Sequence, residues 1–164
     1  MFRRVFILSW RKNIVMIYTE LTKKAMRLAY NAHHGVLDKG GVPYVFHPFH
    51  VAEQMNTEYD VCVALMHDVV EDTNYTLDDI RAQGFPDEII EALKCLTKQK
   101  DQDYMEYINI VKNNPIAVRV KLADIEHNSD KTRIPAGQEE HYKYLHERYA
   151  KAKKILSERV NEDD

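Results

Sequence analysis

At 164 residues the chain is about the size of one ordinary domain, and its composition, 45% hydrophobic and 30% charged, excludes a disordered protein. The formal net charge of −3 excludes a large basic field, so we expect no binding to nucleic acid and none to an anionic membrane. Cys62 and Cys95 both lie in segments of apolar periodicity and are interpreted as reduced core thiols.

The first fifteen residues form a separate segment. Their apolar run, Val5 to Leu8, lies between basic clusters and is too short for a transmembrane helix, and no cleavage site follows it. Two interpretations stay open: an interfacial anchor, or upstream codons included ahead of a true start at Met16, which we favour. We therefore expect a non-native extension at 1–15, a folded domain at 16–164, and a cytoplasmic protein.

Helical periodicity runs through nearly all of the remaining chain, with no internal repeat or linker. A first helix over 20–34 is ended by Gly35, and a loop rich in glycine and proline follows it. Four further helices are predicted over 59–71, 103–112, 115–130 and 138–160. Shorter helices are predicted to begin at 48 and at 86, and another extends from a capping box at 76 to the glycine at 84. The sequence predicts one all-α domain.

The last helix carries an apolar stripe in a three-then-four rhythm, formed by Tyr142, Leu145, Tyr149, Ala152 and Leu156. This spacing is typical of a helix packed against a core and does not indicate a cofactor site. We expect the helix to fold back on its own core, with docking of a second subunit as the alternative; the oligomeric state stays unknown.

The stretch HDVVED at 67–72 is the most informative in the chain. In a continuous helix, His67 lies above Glu71 and Asp68 lies above Asp72, so four ligand-type side chains crowd together. Three carboxylates this close repel one another unless a cation offsets their charge. An imidazole beside a carboxylate suits a divalent transition metal, and the remaining carboxylates are then free to handle protons. The alternative is that the carboxylates end the helix in solvent beside a core histidine.

Two other segments offer further ligands. His33 lies at the edge of the buried stripe of the first helix and points inward, whereas His34 continues its polar row. Asp124 is a charged residue in a largely apolar helix and needs a partner, which is either a metal or Lys121, three residues earlier.

The other histidines are not interpreted as metal ligands. His47 precedes a proline and is interpreted as packing and hydrogen-bonding the loop, while His127 is a candidate for orienting a metal ligand. His50, His141 and His146 are interpreted as surface or helix-face residues.

Four motifs follow one another in order: AHHG at 32–35, GGVPYVFHPFHVAEQM at 40–55, ALMHDVVEDT at 64–73 and VKLADIEHNSD at 120–130. In this order they resemble the hydrolase half of the RelA/SpoT family and its small alarmone hydrolases, over roughly Thr19 to Arg133. The resemblance implies an all-helical HD domain that removes the 3′-pyrophosphate of (p)ppGpp with a bound manganese ion. Because nothing after Asp130 is long enough to hold a synthetase half, we expect hydrolysis only.

Matched by position, the family's metal ligands correspond to His33, His67, Asp68 and Asp124. The resemblance further implies that Glu71 and Asp72 position or activate the attacking water. Asn128 then lines the nucleotide pocket, and Lys39 is the lysine of a basic pair that stabilises phosphoryl oxygens.

The chain departs from the family pattern at two places. Asp38 stands where the family has an arginine that packs against guanine, and Asp130 and Lys131 replace an arginine and a threonine after Asn128. The acidic Asp38 can accept hydrogen bonds from guanine or can indicate a different base. Three functions therefore remain open: an alarmone hydrolase, which we favour, an HD phosphohydrolase for another nucleotide, and a nucleotide sensor without turnover.

Overall fold

Nine α-helices and one 3-10 helix make up the regular structure of the residues that the computed structural model describes, which are 16–135 and 137–160, with the backbone alone at 160. The predicted extension at 1–15 lies outside these residues. The described part contains no β-strand, which confirms the all-α prediction. The helices are α1 Glu20–His33, α2 Phe46–Ala52, α3 Glu58–Met66, α4 Val69–Asp72, α5 Leu77–Ala82, α6 Asp87–Leu96, α7 Tyr104–Val111, α8 Pro115–Asn128 and α9 Glu139–Val160, with the 3-10 helix at Lys131–Arg133.

Local capping residues explain where most helices begin and end. Thr19 and Thr76 each form a capping box ahead of α1 and α5, and Asn114 caps α8 at the amide of Ala117. Gly35 and Gly84 follow α1 and α5 with φ of +79° and +81°, a conformation that favours glycine, so both predicted helix ends are confirmed.

The core is built around α3. Residues 61–66 are fully buried on every side of this helix, which packs against α1, α2, α6 and α8. The last helix, α9, packs on α7 and α8, and its Ala152 and Leu156 are also fully buried. The prediction that α9 folds back on its own core is therefore confirmed for the lower half of its stripe.

An ion pair between a buried carboxylate and an exposed arginine ties α3 to α8. Arg119 donates from Nε to Asp60 Oδ2 at 3.0 Å and from Nη2 to Asp60 Oδ1 at 2.7 Å. The side chain of Asp60 is only 2% exposed, so the guanidinium replaces the water that this carboxylate loses on folding.

The predicted continuous helix over 59–71 is wrong in one respect, because the chain forms two helices there. The first, α3, ends at Met66, and α4 begins at Val69, with His67 and Asp68 in the turn between them. Asp68 has φ −100° and ψ −2°, outside regular helical geometry. The break places the two side chains at a corner of the buried core instead of along one helix face.

None of the helices within 16–135 and 137–160 is long and apolar enough to cross a membrane. Both cysteines are free thiols, as expected; Cys62 is buried and Cys95 is partly buried.

Candidate metal centre and adjoining cavities

Three buried side chains from distant parts of the sequence form a cluster suited to a metal ion. His47 of α2, His67 of the turn after α3 and Asp124 of α8 each present one ligand atom, and these atoms lie within 4.8 Å of one another. Their sequence separation means that the packing of α2, α3 and α8 creates the cluster.

The imidazole of His67 is oriented by the backbone. Its Nδ1 lies 2.6 Å from the carbonyl oxygen of Ala64, and since a carbonyl only accepts, Nδ1 donates. Nε2 faces the carboxylates, 3.0 Å from Asp68 Oδ2 and 3.8 Å from Asp124 Oδ1, without forming a hydrogen bond of normal geometry. A ring protonated only on Nδ1 would present its Nε2 lone pair to two anionic oxygens, so this nitrogen needs a cation, either a proton or a metal ion.

The imidazole of His47 is oriented in the same sense by His127. Arg133 Nη1 donates to His127 Nδ1 at 3.0 Å, so this nitrogen is an acceptor, and His47 Nδ1 donates to it at 2.6 Å. His47 Nε2 then faces Asp124 Oδ1 at 3.1 Å. Partial burial, together with the charges of His47 and Arg133, lowers the pKa of His127 to about 4, so it stays neutral and able to accept.

Asp124 is shared between the cluster and its own helix. Lys121 Nζ lies 2.7 Å from Oδ2, so the alternative partner considered from the sequence is present, while Asn128 Nδ2 donates to Oδ1 at 2.6 Å. Burial acts to raise the pKa of Asp124, but the Lys121 charge and His47 outweigh it and hold the pKa well below its usual range. Asp124 is thus ionised, and the hydrogen bond from Asn128 fixes the orientation of its carboxylate.

Asp68 completes the anionic side of the cluster. Tyr44 Oη donates to its Oδ2, and His47 Nε2 lies 3.6 Å from the same oxygen. Burial opposes ionisation of Asp68, but the charge of His67 lowers its pKa below the usual range. Burial also acts to lower the pKa of His67, but the charge of Asp68 with the contribution of Asp124 raises it to about 10. The carboxylates thus strongly favour a positive charge at Nε2 of His67.

His33 borders this cluster from the end of α1. It is buried, its Nε2 has no hydrogen-bond partner, and its ring lies 5.0 Å from that of Tyr44 between centroids. Burial lowers the pKa of His33, which Asp68 opposes, so the neutral ring is available as a ligand. His34 is exposed, as predicted.

Together these donors fit a divalent transition metal. Imidazole nitrogens and carboxylate oxygens are the ligands that such ions take, and the buried Nε2 atoms of His33 and His67 lack a protein partner. His47, His67 and Asp124 are the residues whose geometry could hold the ion, and His33 and Asp68, the further ligands expected from the sequence, border them.

Glu71 and Asp72 lie on α4 next to the cluster and face different cavities. Glu71 Oε2 accepts a hydrogen bond from the Lys98 backbone amide at 3.0 Å, which fixes its carboxylate. Partial desolvation, then the charges of Asp68 and Glu71, raise the pKa of Asp72 to about 6. A carboxyl group with this pKa exchanges protons readily near neutral pH.

Two cavities adjoin the cluster, and His47, Tyr44 and Asn128 line both. The larger cavity, about 480 Å³, has an apolar wall on α9 formed by Tyr142, Leu145 and Tyr149. The upper half of the α9 stripe therefore lines a cavity, contrary to the expectation that the whole stripe packs on the core. The smaller cavity, about 240 Å³, is lined mainly by polar side chains and includes Glu71.

The substrate-binding candidates near the larger cavity differ in their environment. Lys39 is exposed and lines this cavity, as does Asn128. Asp38 is fully engaged, because Oδ1 accepts from the amides of Gly40 and Val42 and Oδ2 pairs with Arg133 at 3.1 Å. Asp130 caps the 3-10 helix through the amide and hydroxyl of Thr132 and lines neither of these cavities.

The sequence interpretation missed two residues of the centre, His47 and Tyr44. The limited role given to His47, packing the loop, is incomplete because the structure places it in the cluster. Both residues belong to the motif GGVPYVFHP, so its resemblance to the family was the signal that pointed to them. The suggestion that His127 orients a ligand agrees with its contact to His47.

No protein-family profile matches the chain. Among curated proteins it is similar to a guanosine-3′,5′-bis(diphosphate) 3′-pyrophosphohydrolase of Haemophilus influenzae, at 33% identity over 115 residues, which are 62% of this chain and 17% of that protein. It is also similar to the bifunctional (p)ppGpp synthase/hydrolase SpoT of Escherichia coli, at 32% identity over 121 residues, 65% of this chain and 17% of that one. The chain thus matches only a small part of the length of these relatives.

Among solved structures, the chain is similar to that of a metazoan ortholog of SpoT which hydrolyses ppGpp. The TM-score is 0.67 at 21% identity, covering 91% of this chain and 98% of that one, so the likeness establishes the fold. The chain is therefore similar in sequence to one segment of these two proteins, and it shares the helical fold of the solved structure.

Proposed function

We propose that this protein is a metal-dependent phosphohydrolase that removes the 3′-pyrophosphate of (p)ppGpp, giving GDP or GTP and pyrophosphate. One observation carries the proposal: the Nε2 atoms of His47 and His67 converge with the buried carboxylate of Asp124 and the partly buried carboxylate of Asp68. They do so where an apolar-walled cavity and a polar one meet. A nucleotide has the same division into an aromatic base and a phosphorylated end. The names of the relatives above supply the substrate class.

The reaction needs a water, a proton acceptor and charge stabilisation. The water oxygen bonds to the phosphorus attached at the ribose 3′ oxygen, that P–O bond breaks, and one water proton is transferred to the departing oxygen. Glu71 or Asp72 takes this proton and returns it, and Lys39 offsets charge on the phosphoryl oxygens. A divalent cation, which we propose is Mn²⁺, supplies Lewis acidity and lowers the pKa of water when bound by the cluster.

The second candidate is an HD phosphohydrolase for another nucleotide. It is favoured by Asp38, whose carboxylate accepts hydrogen bonds from two backbone amides and Arg133 and stands where the family has an arginine that packs against guanine. A sensor without turnover is the third, but such a protein has no need of the carboxylates at 71 and 72.

A hydrolysis assay with Mn²⁺ separates these functions, offering ppGpp beside a panel of nucleotides with products resolved by ion exchange. Release of GDP and pyrophosphate, lost on chelation, is the expected result. Turnover of a different nucleotide supports the second function, and binding of nucleotides without any turnover supports the sensor.

The metal ligands are tested by His47→Ala and His33→Ala, with the exposed His141→Ala as the matched control. We expect His47→Ala to lower Mn²⁺ affinity and activity at least 10-fold, because it removes an oriented imidazole. An equal loss in His33→Ala makes both histidines ligands. A normal affinity in His47→Ala together with a loss in His33→Ala would restore the assignment drawn from the sequence.

A further inference from the structure

The smaller cavity contains two buried polar atoms that no protein group satisfies. Its lining includes Asp68 and Asp124 of the cluster, together with Tyr104, Arg148 and Lys98. Tyr104 Oη and Arg148 Nε are both buried and make no hydrogen bond. Buried polar groups are nearly always paired, so two unpaired donors on one cavity wall indicate an acceptor that binds there.

The guanidinium of Arg148 is held in place by aromatic rings. Its Cζ lies 4.1 Å from the centroid of the Tyr104 ring and 5.7 Å from that of Tyr144. Within the described part of the chain, no carboxylate forms an ion pair with Arg148. Stacking therefore fixes the position of this cation without a contacting carboxylate, and its charge acts on Asp103 from beyond ion-pair distance.

The neighbouring cations differ from Arg148. Lys121 is neutralised by Asp124, with Nζ 2.7 Å from Oδ2, and Lys98 Nζ donates to the carbonyl oxygen of Gln99 at 3.1 Å. Among the described residues, Arg148 and Lys98 thus have no carboxylate within ion-pair distance, and Arg148 is distinguished by a buried Nε donor that has no partner. A planar fork of donors suits phosphate oxygens, which accept two parallel hydrogen bonds.

We propose that Tyr104 and Arg148 form the subsite for the pyrophosphoryl group, across the small cavity from the metal cluster. The identity of the ligand, a phosphate chain, rests on the proposed function. The negative charge of this chain would lie next to the cluster. Tyr104 donates from its hydroxyl and Arg148 from its guanidinium, while the base lies in the larger cavity.

The probe is inorganic pyrophosphate, titrated by calorimetry into the full chain supplied with Mn²⁺, beside inorganic phosphate as a smaller anion. Arg148→Gln is expected to weaken pyrophosphate binding about 10- to 100-fold and Tyr104→Phe about 2- to 10-fold, the usual contributions of charged and neutral hydrogen bonds. Lys143→Gln removes the same charge from an exposed position of α9 and should leave the affinity unchanged. Arg148→Lys should give an intermediate affinity, because it keeps the charge without the fork.

Circular dichroism checks that each variant is folded, and Tyr104→Phe preserves the shape of the wall in case Arg148→Gln does not fold. If folded Arg148→Gln and Tyr104→Phe bind pyrophosphate as tightly as the original chain, or if the original chain does not bind it, the subsite is wrong whatever the substrate. If binding depends on Arg148 and Tyr104 but ppGpp is never hydrolysed, the subsite stands and the proposed function fails. With ppGpp as substrate, Arg148→Gln should raise KM more than it lowers kcat.

Discussion

At the scale of single residues, the site is built from groups whose ionisation the surrounding protein controls. His47 and His67 each donate from Nδ1 to a partner outside the cluster, which leaves Nε2 toward the carboxylates. The Asp124 carboxylate also accepts hydrogen bonds from the ammonium group of Lys121 and the side-chain amide of Asn128. This arrangement favours a cation at the centre and explains why so many charged groups tolerate burial together.

Asp72 carries a cost in stability that a substitution can remove. Because its pKa is raised to about 6, the folded state binds this proton more tightly than the unfolded state, so stability falls as the pH rises from about 4 to 6. We expect Asp72→Asn, in chelator-treated protein, to melt at a higher temperature than the original chain at pH 7 and at the same temperature near pH 3.

Thermal melts followed by circular dichroism between pH 3 and 8 measure this difference. Asp101→Asn, an identical change at an exposed loop position, is the control and should shift the melting temperature little at any pH. A lower melting temperature for Asp72→Asn at pH 7 would contradict the raised pKa.

At the scale of helices, the ends of α1 and α5 follow from local residues, and the sequence predicts them well. Thr19, Thr76, Gly35 and Gly84 act within a few residues of their helix ends, so their effect is visible in the sequence. The break at 67–68 lacks such a signal, because no glycine or proline marks it and the apolar run continues into it. Tertiary contacts of His67 and Asp68 set this break.

The candidate site shows the same limit. His67 and Asp124 are polar residues in apolar segments, and the sequence proposes both as ligands together with His33 and Asp68. The role of His47 depends on His127, eighty positions away, which receives its Nδ1 hydrogen bond. No local pattern encodes a contact of that separation, so the sequence alone assigned His47 to loop packing.

The ion pair of Asp60 with Arg119 is predicted to hold α3 against α8. Arg119→Gln leaves a carboxylate that is only 2% exposed without its cation, and we expect a loss of about 2–3 kcal/mol in the free energy of unfolding, below the usual range because Arg119 is itself 45% exposed. Arg81→Gln breaks the exposed pair with Asp78 and should cost under about 1 kcal/mol.

Urea denaturation of both variants gives the comparison. The double variant Asp60→Asn with Arg119→Gln should lose less than the sum of the single losses, since neither partner is then left charged and alone. Equal losses for Arg119→Gln and Arg81→Gln would show that burial adds nothing to the α3–α8 pair.

At the scale of the whole molecule, the proposed metal joins elements that are far apart in the sequence. His47, His67 and Asp124 come from α2, the turn after α3, and α8, and only the folded chain brings them within 4.8 Å. An ion bound by all three therefore binds the folded state and not the unfolded one. Metal binding is then also a contribution to stability.

Mn²⁺ is accordingly expected to raise the melting temperature, because a ligand at 100 times its Kd adds about 2.7 kcal/mol to the free energy of unfolding. For a domain of this size that corresponds to roughly 5–10 °C. His47→Gln should lose about half of the shift or more, whereas His141→Gln, at an exposed position of α9, should keep it. Differential scanning calorimetry with and without a chelator makes the measurement. An undiminished shift in His47→Gln would place the bound ion away from the cluster, because removal of a ligand must weaken any metal that the cluster holds.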